Sequence, residues 1–154
     1  MTLYLAALLL GVIAGLRAMT APAAASWAAA LGVLRLGGTP MAFLGAAFTP
    51  WIFTAFAAVE LVTDKLSITP SRKVPVQFGA RVLMGALCGA AVGASAGALA
   101  QGAVLGAAGA VLGTFGGAAA RGSLAGRLGR DLPAALCEDL VAVGGAVLVI
   151  FGLL

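Results

Sequence analysis

The residues most able to do chemistry are carboxylates set in long apolar stretches. The chain of 154 residues has five acidic residues, and four of them form two short motifs, Glu60-x-x-x-Asp64 and Glu138-Asp139. An ionisable side chain in the hydrocarbon of a membrane costs roughly 3 kcal/mol on insertion scales unless it is paired or hydrated. Burial raises the pKa of a carboxyl group, and carboxylate oxygens suit hard cations. The two motifs therefore predict proton or cation sites.

Arg17 is the first basic residue and ends the apolar stretch 1–16. A guanidinium at this place is the expected counter-ion of the carboxylates, or a contact for an anion. Together with the two acidic motifs it forms the predicted binding site. The substrate- or ion-binding residues predicted from the sequence are Arg17, Glu60, Asp64, Glu138 and Asp139.

A second interpretation gives these charges a purely structural role. Oppositely charged side chains inside a membrane protein pair with one another, and such pairs can fix the register of the helices. Basic chains near the headgroups can also extend towards water. The pairs expected on this interpretation join Arg17 to Glu60 or Asp64, and Arg81 or Arg121 to Glu138 or Asp139.

The elements that hold these charges must be membrane helices. The chain is 62% hydrophobic and 9% charged, with a mean hydropathy of +1.14, whereas soluble domains carry roughly 25% charged residues. Apolar residues run continuously rather than in alternation, and a chain in lipid must satisfy its backbone polar groups within helices or closed barrels. The fold class predicted is an all-α membrane protein with about six transmembrane or partly inserted helices.

The net charge of +4 is best explained by membrane topology. Basic residues concentrate in two segments, 65–73 and 121–130, and cytoplasmic loops collect Lys and Arg. Two crossings separate these segments, so both are expected on the cytoplasmic side of a bacterial inner membrane, in a multi-pass arrangement. Basic residues are not interleaved with aromatic ones here, so nucleic-acid binding is not expected.

The residue types present give little support to an enzyme. The chain has no histidine, and its two cysteines, Cys88 and Cys137, lie in apolar runs where small buried residues are common. Ser-His, Cys-His and zinc chemistry are therefore unsupported, and glycine motifs for nucleotides lack their strand-to-helix context. We expect no enzymatic activity, no cofactor and no metal centre.

Breaks in the apolar pattern divide the chain into helices. Thr20-Ala21-Pro22 and Asp131-Leu132-Pro133 are typical helix starts, Pro50 is expected to kink the third helix, and the uncharged run 82–120 should turn near 100–102. The second helix is the shortest, with about 15 residues. The helices predicted are 2–19, 22–36, 40–66, 76–100, 102–120 and 132–153.

An internal repeat would divide the single domain 1–154 into halves 1–73 and 74–154. A shift of the sequence by 78 residues superimposes Glu60 on Glu138 and several glycines on glycines. Each half has an odd number of crossings, so the two copies would be inverted in the membrane. Inverted repeats are common in secondary transporters, which bind solutes at the repeat interface.

Glycines recur at one-turn spacing, as in Gly11-x-x-x-Gly15 and Gly85-x-x-x-Gly89-x-x-x-Gly93. Glycine faces let helix backbones approach closely. The spacing predicts tight helix packing, either within one chain or across a homodimer.

Four stretches of the chain carry a family resemblance. They are GLRAMTAP at 15–22, the segment 60–72 with its Glu60, Asp64 and Arg72, the segment 116–121, and the segment 131–139. In these stretches the chain resembles a bacterial family of small integral membrane proteins that is catalogued as a domain of unknown function. The resemblance implies a membrane protein of this length but no particular activity. The charged residues it singles out are Arg17, Glu60, Asp64, Lys65, Arg72, Arg121, Glu138 and Asp139.

Two functions remain open on the sequence alone. The first is a small transporter or channel, working as a homodimer, whose intramembrane carboxylates bind protons, cations or a small solute. The second is a non-transporting scaffold or accessory subunit whose buried charges fix helix packing. A membrane enzyme acting on lipid headgroups is a weaker alternative, because nucleophile and metal ligands are lacking.

Overall fold

The structure is a computed structural model that describes residues 1–65 and 74–154. These residues form an all-α fold with six α-helices and one short 3₁₀ helix, Ala42–Gly45. The α-helices, in chain order, are α1 Thr2–Leu16, α2 Thr20–Ala30, α3 Thr49–Thr63, α4 Pro75–Ala94, α5 Leu99–Leu128 and α6 Asp131–Leu153. The predicted all-α class and the order of the six segments are confirmed.

Three helices are long and apolar enough to cross a membrane. These are α4, α5 and α6, with 20, 30 and 23 residues. The apolar helices α1 and α3 have 15 residues each, or about 22 Å of helix, and are shorter than the hydrocarbon core of roughly 30 Å. The described residues therefore contain three candidate membrane spans, as a multi-pass membrane protein requires, with shorter apolar helices beside them.

Glycines bring α1, α4 and α5 into direct backbone contact. Gly106 of α5 lies between Gly85 of α4 and Gly11 of α1, and a Cβ built on Gly106 would overlap the Gly85 carbonyl oxygen. On the same helix, Gly113 lies against the backbone of Val12. Close approach of this kind gains dispersion contacts along the whole seam. The packing role predicted for the glycine motifs is confirmed within the chain.

The shorter helices α2 and α3 pack against each other beside this three-helix core. The Trp27 indole of α2 donates a hydrogen bond to the Thr54 hydroxyl of α3 at 3.0 Å, and its ring meets the Trp51 ring edge-on at 5.0 Å. Along α3 itself the buried residues are Pro50 and Ala57. Most of α3 therefore faces outward, away from the rest of the described fold.

The predicted helix 40–66 begins too early. Residues 40–48 form turns and the 3₁₀ helix, and α3 begins at Thr49. Pro50 is in the first turn, where its missing N–H costs no hydrogen bond, so the predicted kink was wrong. The preceding helix also ends earlier than predicted, at Ala30, because Gly32 adopts a left-handed φ of 79° that stops it.

The predicted helix 102–120 is too short at both ends. The turn before it lies at Gly97, with φ 70°, rather than near 100–102. At its other end α5 continues to Leu128 and stops at Gly129, with φ 68°. The segment 121–130 is therefore mostly helix and not the loop we predicted. Its glycines each cost about 1 kcal/mol in a helix, but with no proline present they do not end it.

The repeat is not evident in the lengths of the helices. The first half holds helices of 15, 11 and 15 residues, and the second holds helices of 20, 30 and 23. The inverted repeat stays a prediction. Residues 66–73, which include most of the basic segment 65–73 and its Arg72, lie outside the described residues.

The glycine seam gives a direct test of the fold. Gly106→Ala should destabilise the protein by about 1–3 kcal/mol, because the new methyl group overlaps the α4 backbone. Gly116→Ala on the same helix meets open space and is the matched control. Thermal unfolding of both variants in detergent, followed by circular dichroism, measures the difference. Equal midpoints for the two variants would contradict the backbone contact described here.

Candidate functional site

The site is built around a break between α1 and α2. Helix α1 ends at Leu16, Arg17 is extended with φ −140° and ψ 111°, and α2 begins at Thr20. Such a break leaves the last carbonyls of one helix and the first N–H groups of the next without partners inside the helices. In an apolar surrounding each such group must find a partner elsewhere.

Glu60 of α3 binds the start of α2. Its Oε1 accepts a hydrogen bond from the Ala18 N–H at 2.7 Å, and its Oε2 accepts one from the Met19 N–H at 2.8 Å. A carboxylate is well matched to this place, because a helix start carries partial positive charge and its N–H groups point outward. A helix does start within Thr20-Ala21-Pro22, two residues before the predicted residue 22, and the N–H groups just before it are bound by a carboxylate from another helix.

Arg81 of α4 binds the end of α1. Its Nη1 donates to the Leu16 carbonyl oxygen at 2.6 Å and to the Gly15 carbonyl oxygen at 3.0 Å. A cation at a helix C-terminus is favourable because the carbonyls carry partial negative charge. The Arg81 Nη2 also lies 3.7 Å from Glu60 Oε1, so the side chains that bind the two helix ends face each other.

Arg17 itself is fully buried and lies among three carboxylates. Its guanidinium forms ion pairs with Asp64 and with Asp139, the latter at 2.5 Å, and lies 3.9 Å from a Glu138 oxygen. A buried guanidinium would be very costly without such partners. The structure therefore brings four of the five predicted site residues to one point, and the fifth, Glu60, lies at the adjoining helix end.

Two further cations enclose this group. Arg121 of α5 donates to Asp64 Oδ2 at 2.7 Å and to Asp131 Oδ2 at 2.6 Å. Lys65 Nζ donates to Asp139 Oδ2 at 2.6 Å. Each of the five acidic residues lies within 4 Å of a basic side chain. We call these nine residues the charged cluster: Arg17, Glu60, Asp64, Lys65, Arg81, Arg121, Asp131, Glu138 and Asp139.

The pKa of Asp64 is shifted in the direction opposite to that expected of a buried carboxyl group. Asp64 is the residue that follows α3. Burial raises its pKa, but the guanidinium groups of Arg17 and Arg121 outweigh that effect and hold the pKa below its ordinary value. Asp64 therefore stays ionised at neutral pH, and a proton is not expected to bind there.

Two cavities adjoin the charged cluster. One of about 240 Å³ lies against the helix break, with Met19, Glu60, Thr63, Gln77 and Arg81 among its lining residues. A water molecule occupies about 30 Å³ of liquid, so this volume can hold a small solute or a hydrated ion beside the Glu60 carboxylate.

The second cavity, of about 170 Å³, lies between α5 and α6, with Arg121, Cys137 and Glu138 in its wall. Its remaining lining is apolar. Glu60 and Glu138, which the proposed repeat would relate, are thus in the walls of two different cavities.

The observed pairs include both of those expected on the structural interpretation of the sequence, together with others that it did not predict. The expected pairs Arg17 with Asp64 and Arg121 with Glu138 are present. For Glu60 the structure gives backbone N–H groups and Arg81 as partners. Sequence reasoning missed this binding of the helix ends because it depends on contacts between residues more than 40 positions apart. The available signal was the break itself, which exposes backbone groups that require charged partners.

The geometry does not suggest a metal centre. Within residues 1–65 and 74–154, His, Cys, Asp and Glu form no group of three or more suited to hold a metal ion. Asp64, Glu138 and Asp139 do converge, but they converge on the Arg17 guanidinium.

Removing the carboxylate at the break should cost more stability than removing one at the rim of the cluster. Glu60→Ala leaves the Ala18 and Met19 N–H groups without their acceptor and should destabilise the fold by about 2–3 kcal/mol. Asp131→Ala removes an exposed partner of Arg121 and should cost about 1 kcal/mol or less. Unfolding in detergent compares the two variants. A larger loss for Asp131→Ala would be inconsistent with the binding of the helix break by Glu60.

Comparison with known proteins gives no relative from which a function could be transferred. No match was found among protein-family models, curated proteins or solved structures.

Proposed function

We propose that the chain is a small transporter or channel of the bacterial inner membrane, with proton or cation binding at Glu60. The observation that carries this proposal is the helix break: Glu60 binds its N–H groups, Arg81 binds its carbonyls, and a cavity of about 240 Å³ adjoins both. Interrupted helices beside a cavity are the elements from which many transporters form solute and ion sites.

The cost of the break supports a role beyond packing. The backbone groups at the break are bound by two charged side chains, the partly buried Glu60 of α3 and the buried Arg81 of α4. Ionisable residues kept inside a membrane are a reason to expect a functional site. A site that opens and closes would make use of such a break, whereas helix packing alone would not.

Glu60 is the residue whose charge can vary in this proposal. A proton or cation on its carboxylate would weaken its hold on the Ala18 and Met19 N–H groups and its attraction to Arg81. Binding at Glu60 would therefore loosen the junction of α1 and α2. Asp64 would keep its charge as the counter-ion of Arg17.

The remaining predicted site residues have two roles in this proposal. Some hold α6 to the helix break, and one provides a second binding position for a proton or cation. Arg17 and Asp139 hold α6 to the break, and Glu138, in the wall of the second cavity, is the further carboxylate on which a proton or cation would bind. In this proposal the end of the bundle with the charged cluster is cytoplasmic, in line with the excess of Lys and Arg there, and a homodimer is the working assembly.

Flux in proteoliposomes tests this function. With a pH-sensitive dye inside and a potassium gradient with valinomycin to set the potential, the wild-type protein should carry protons or, in parallel assays, Na⁺ or K⁺. Glu60→Gln should reduce that flux by about tenfold or more, since it removes the charge and keeps the shape of the side chain.

Asp131→Asn is the matched control, because it neutralises a carboxylate of the same cluster that is exposed. It should retain most of the flux. Circular dichroism and size-exclusion chromatography confirm that both variants are folded. Full flux in Glu60→Gln would remove Glu60 from the mechanism, and loss of flux in both variants would show that the cluster as a whole, rather than Glu60, is needed.

A scaffold or accessory subunit is the second candidate function. The observation that favours it is the pairing of every acidic residue with a basic one, because complete pairing is what register fixation alone requires. On this alternative, wild-type proteoliposomes carry no more of the three ions than empty vesicles do. Arg17→Gln would still lower the unfolding midpoint, since it leaves three carboxylates without their shared cation.

A further inference from the structure

Helix α3 is attached to the rest of the fold in different ways at its two ends. Its first half packs against α2 and the 3₁₀ helix. There the Trp27 ring of α2 meets the Trp51 ring, and the Trp27 indole N–H binds the Thr54 hydroxyl. The Thr49 hydroxyl donates to the Phe43 carbonyl oxygen at 2.8 Å. These contacts hold the first half of α3 in place without a charged residue.

The second half of α3, residues 56–63, has little apolar contact with the core. Its buried residue is Ala57. Three of its large apolar side chains are exposed, namely Phe56, Val59 and Val62. Within the described part of the chain, the α3 side chain that packs against the hydrophobic core is Phe53, which precedes this half. Apolar packing therefore contributes little to holding residues 56–63 against the other helices.

Charged side chains provide the attachment at this end. Glu60 accepts hydrogen bonds from the N–H groups at the junction of α1 and α2. Directly after α3, Asp64 accepts a hydrogen bond from Arg121 of α5, and Lys65 donates one to Asp139 of α6. A hydrogen bond of this kind becomes much weaker when its charged partner is neutralised. The end of α3 is thus held by contacts that a change of charge can release.

The cavity of about 240 Å³ lies beneath this second half of α3. Its α3 wall includes Phe56, Glu60 and Thr63, and its α4 wall includes Gln77 and Arg81. Helix α3 therefore covers the cavity with the half that is held by charge, while its other half is held by packing. Elements that close over a site commonly turn about contacts at one end in this way.

From these contacts we propose that residues 56–63 form a lid over the Glu60 cavity. The lid turns about the contact of Trp27 with Trp51, and the charged contacts of Glu60, Asp64 and Lys65 hold it shut. Neutralising Glu60 releases one of these contacts and lets the lid open away from α4. That the lid controls access to an ion site rests on the proposed transport function, but the motion of α3 does not.

Double electron–electron resonance on the protein in liposomes tests the lid. One nitroxide label is placed on the lid through Val62→Cys and the other on α5 through Leu112→Cys, both at exposed positions. The exposed Cys137 is replaced by serine, and the buried Cys88 is retained. Val62 lies about 15 Å along α3 from Ile52, so a tilt of about 20° displaces it by about 5 Å. Glu60→Gln should lengthen the Val62–Leu112 distance on this scale.

Two matched controls separate a lid from a general loosening. Ile52→Cys, paired with the same α5 label, lies next to Trp51 and should keep its distance in Glu60→Gln. Asp131→Asn neutralises a carboxylate of the charged cluster that binds Arg121 and not α3, and it should leave both distances unchanged. Should Glu60→Gln fail to fold, Lys65→Gln removes the contact with α6 while the helix break stays bound, and it should broaden the lid distance.

Three results would overturn the lid. They are a fixed lid distance in folded Glu60→Gln, or in Lys65→Gln where that variant replaces it, an equal shift at Ile52, and an equal shift in Asp131→Asn. The distances are measured without any flux. A chain that shows the shift but carries no ion would keep the lid and lose the transport proposal, whereas a chain that carries ions with α3 fixed would lose the lid alone.

Discussion

The structure depends on one requirement: the backbone groups left open where α1 ends and α2 begins, among apolar helices, must be bound by other parts of the chain. At the junction of α1 and α2, a carboxylate from α3 binds the N–H side and a guanidinium from α4 binds the carbonyl side. Both partners suit the partial charge of the helix end they meet. Glu60 and Arg81 also face each other at 3.7 Å, and the remaining residues of the charged cluster surround Arg17 beside them.

The glycine seam makes this arrangement geometrically attainable. Arg81 reaches the end of α1 because α1, α4 and α5 approach to backbone contact at glycines such as Gly85 and Gly106. At the same level the Thr114 hydroxyl of α5 lies 3.3 Å from the Gly15 carbonyl oxygen and donates to its own helix at 2.8 Å. The close glycine contacts and the hydrogen bonds of charged side chains therefore involve the same few residues. Neither kind of contact would be sufficient alone to hold these helices together in lipid.

Much of this fold follows from the sequence, because continuous apolar runs and rare charges are strong signals in a membrane chain. The order of six helices and the pairs of Arg17 with Asp64 and of Arg121 with Glu138 were predicted correctly. The kink predicted from Pro50 and the loop predicted from the glycines of 121–128 were wrong. A proline in the first turn of a helix costs no hydrogen bond, and scattered glycines weaken a helix without ending it. The partners of the broken backbone could not be predicted, because they depend on how distant helices pack.

The position of α1 has a consequence for biogenesis. This helix is synthesised before the glycine faces it packs against, which belong to α4 and α5 and begin at residues 75 and 99. Until then the nascent chain carries a 15-residue apolar segment that ends in an uncompensated Arg17, a poor substrate for stable insertion. Stable packing of α1 therefore depends on helices that are synthesised after it.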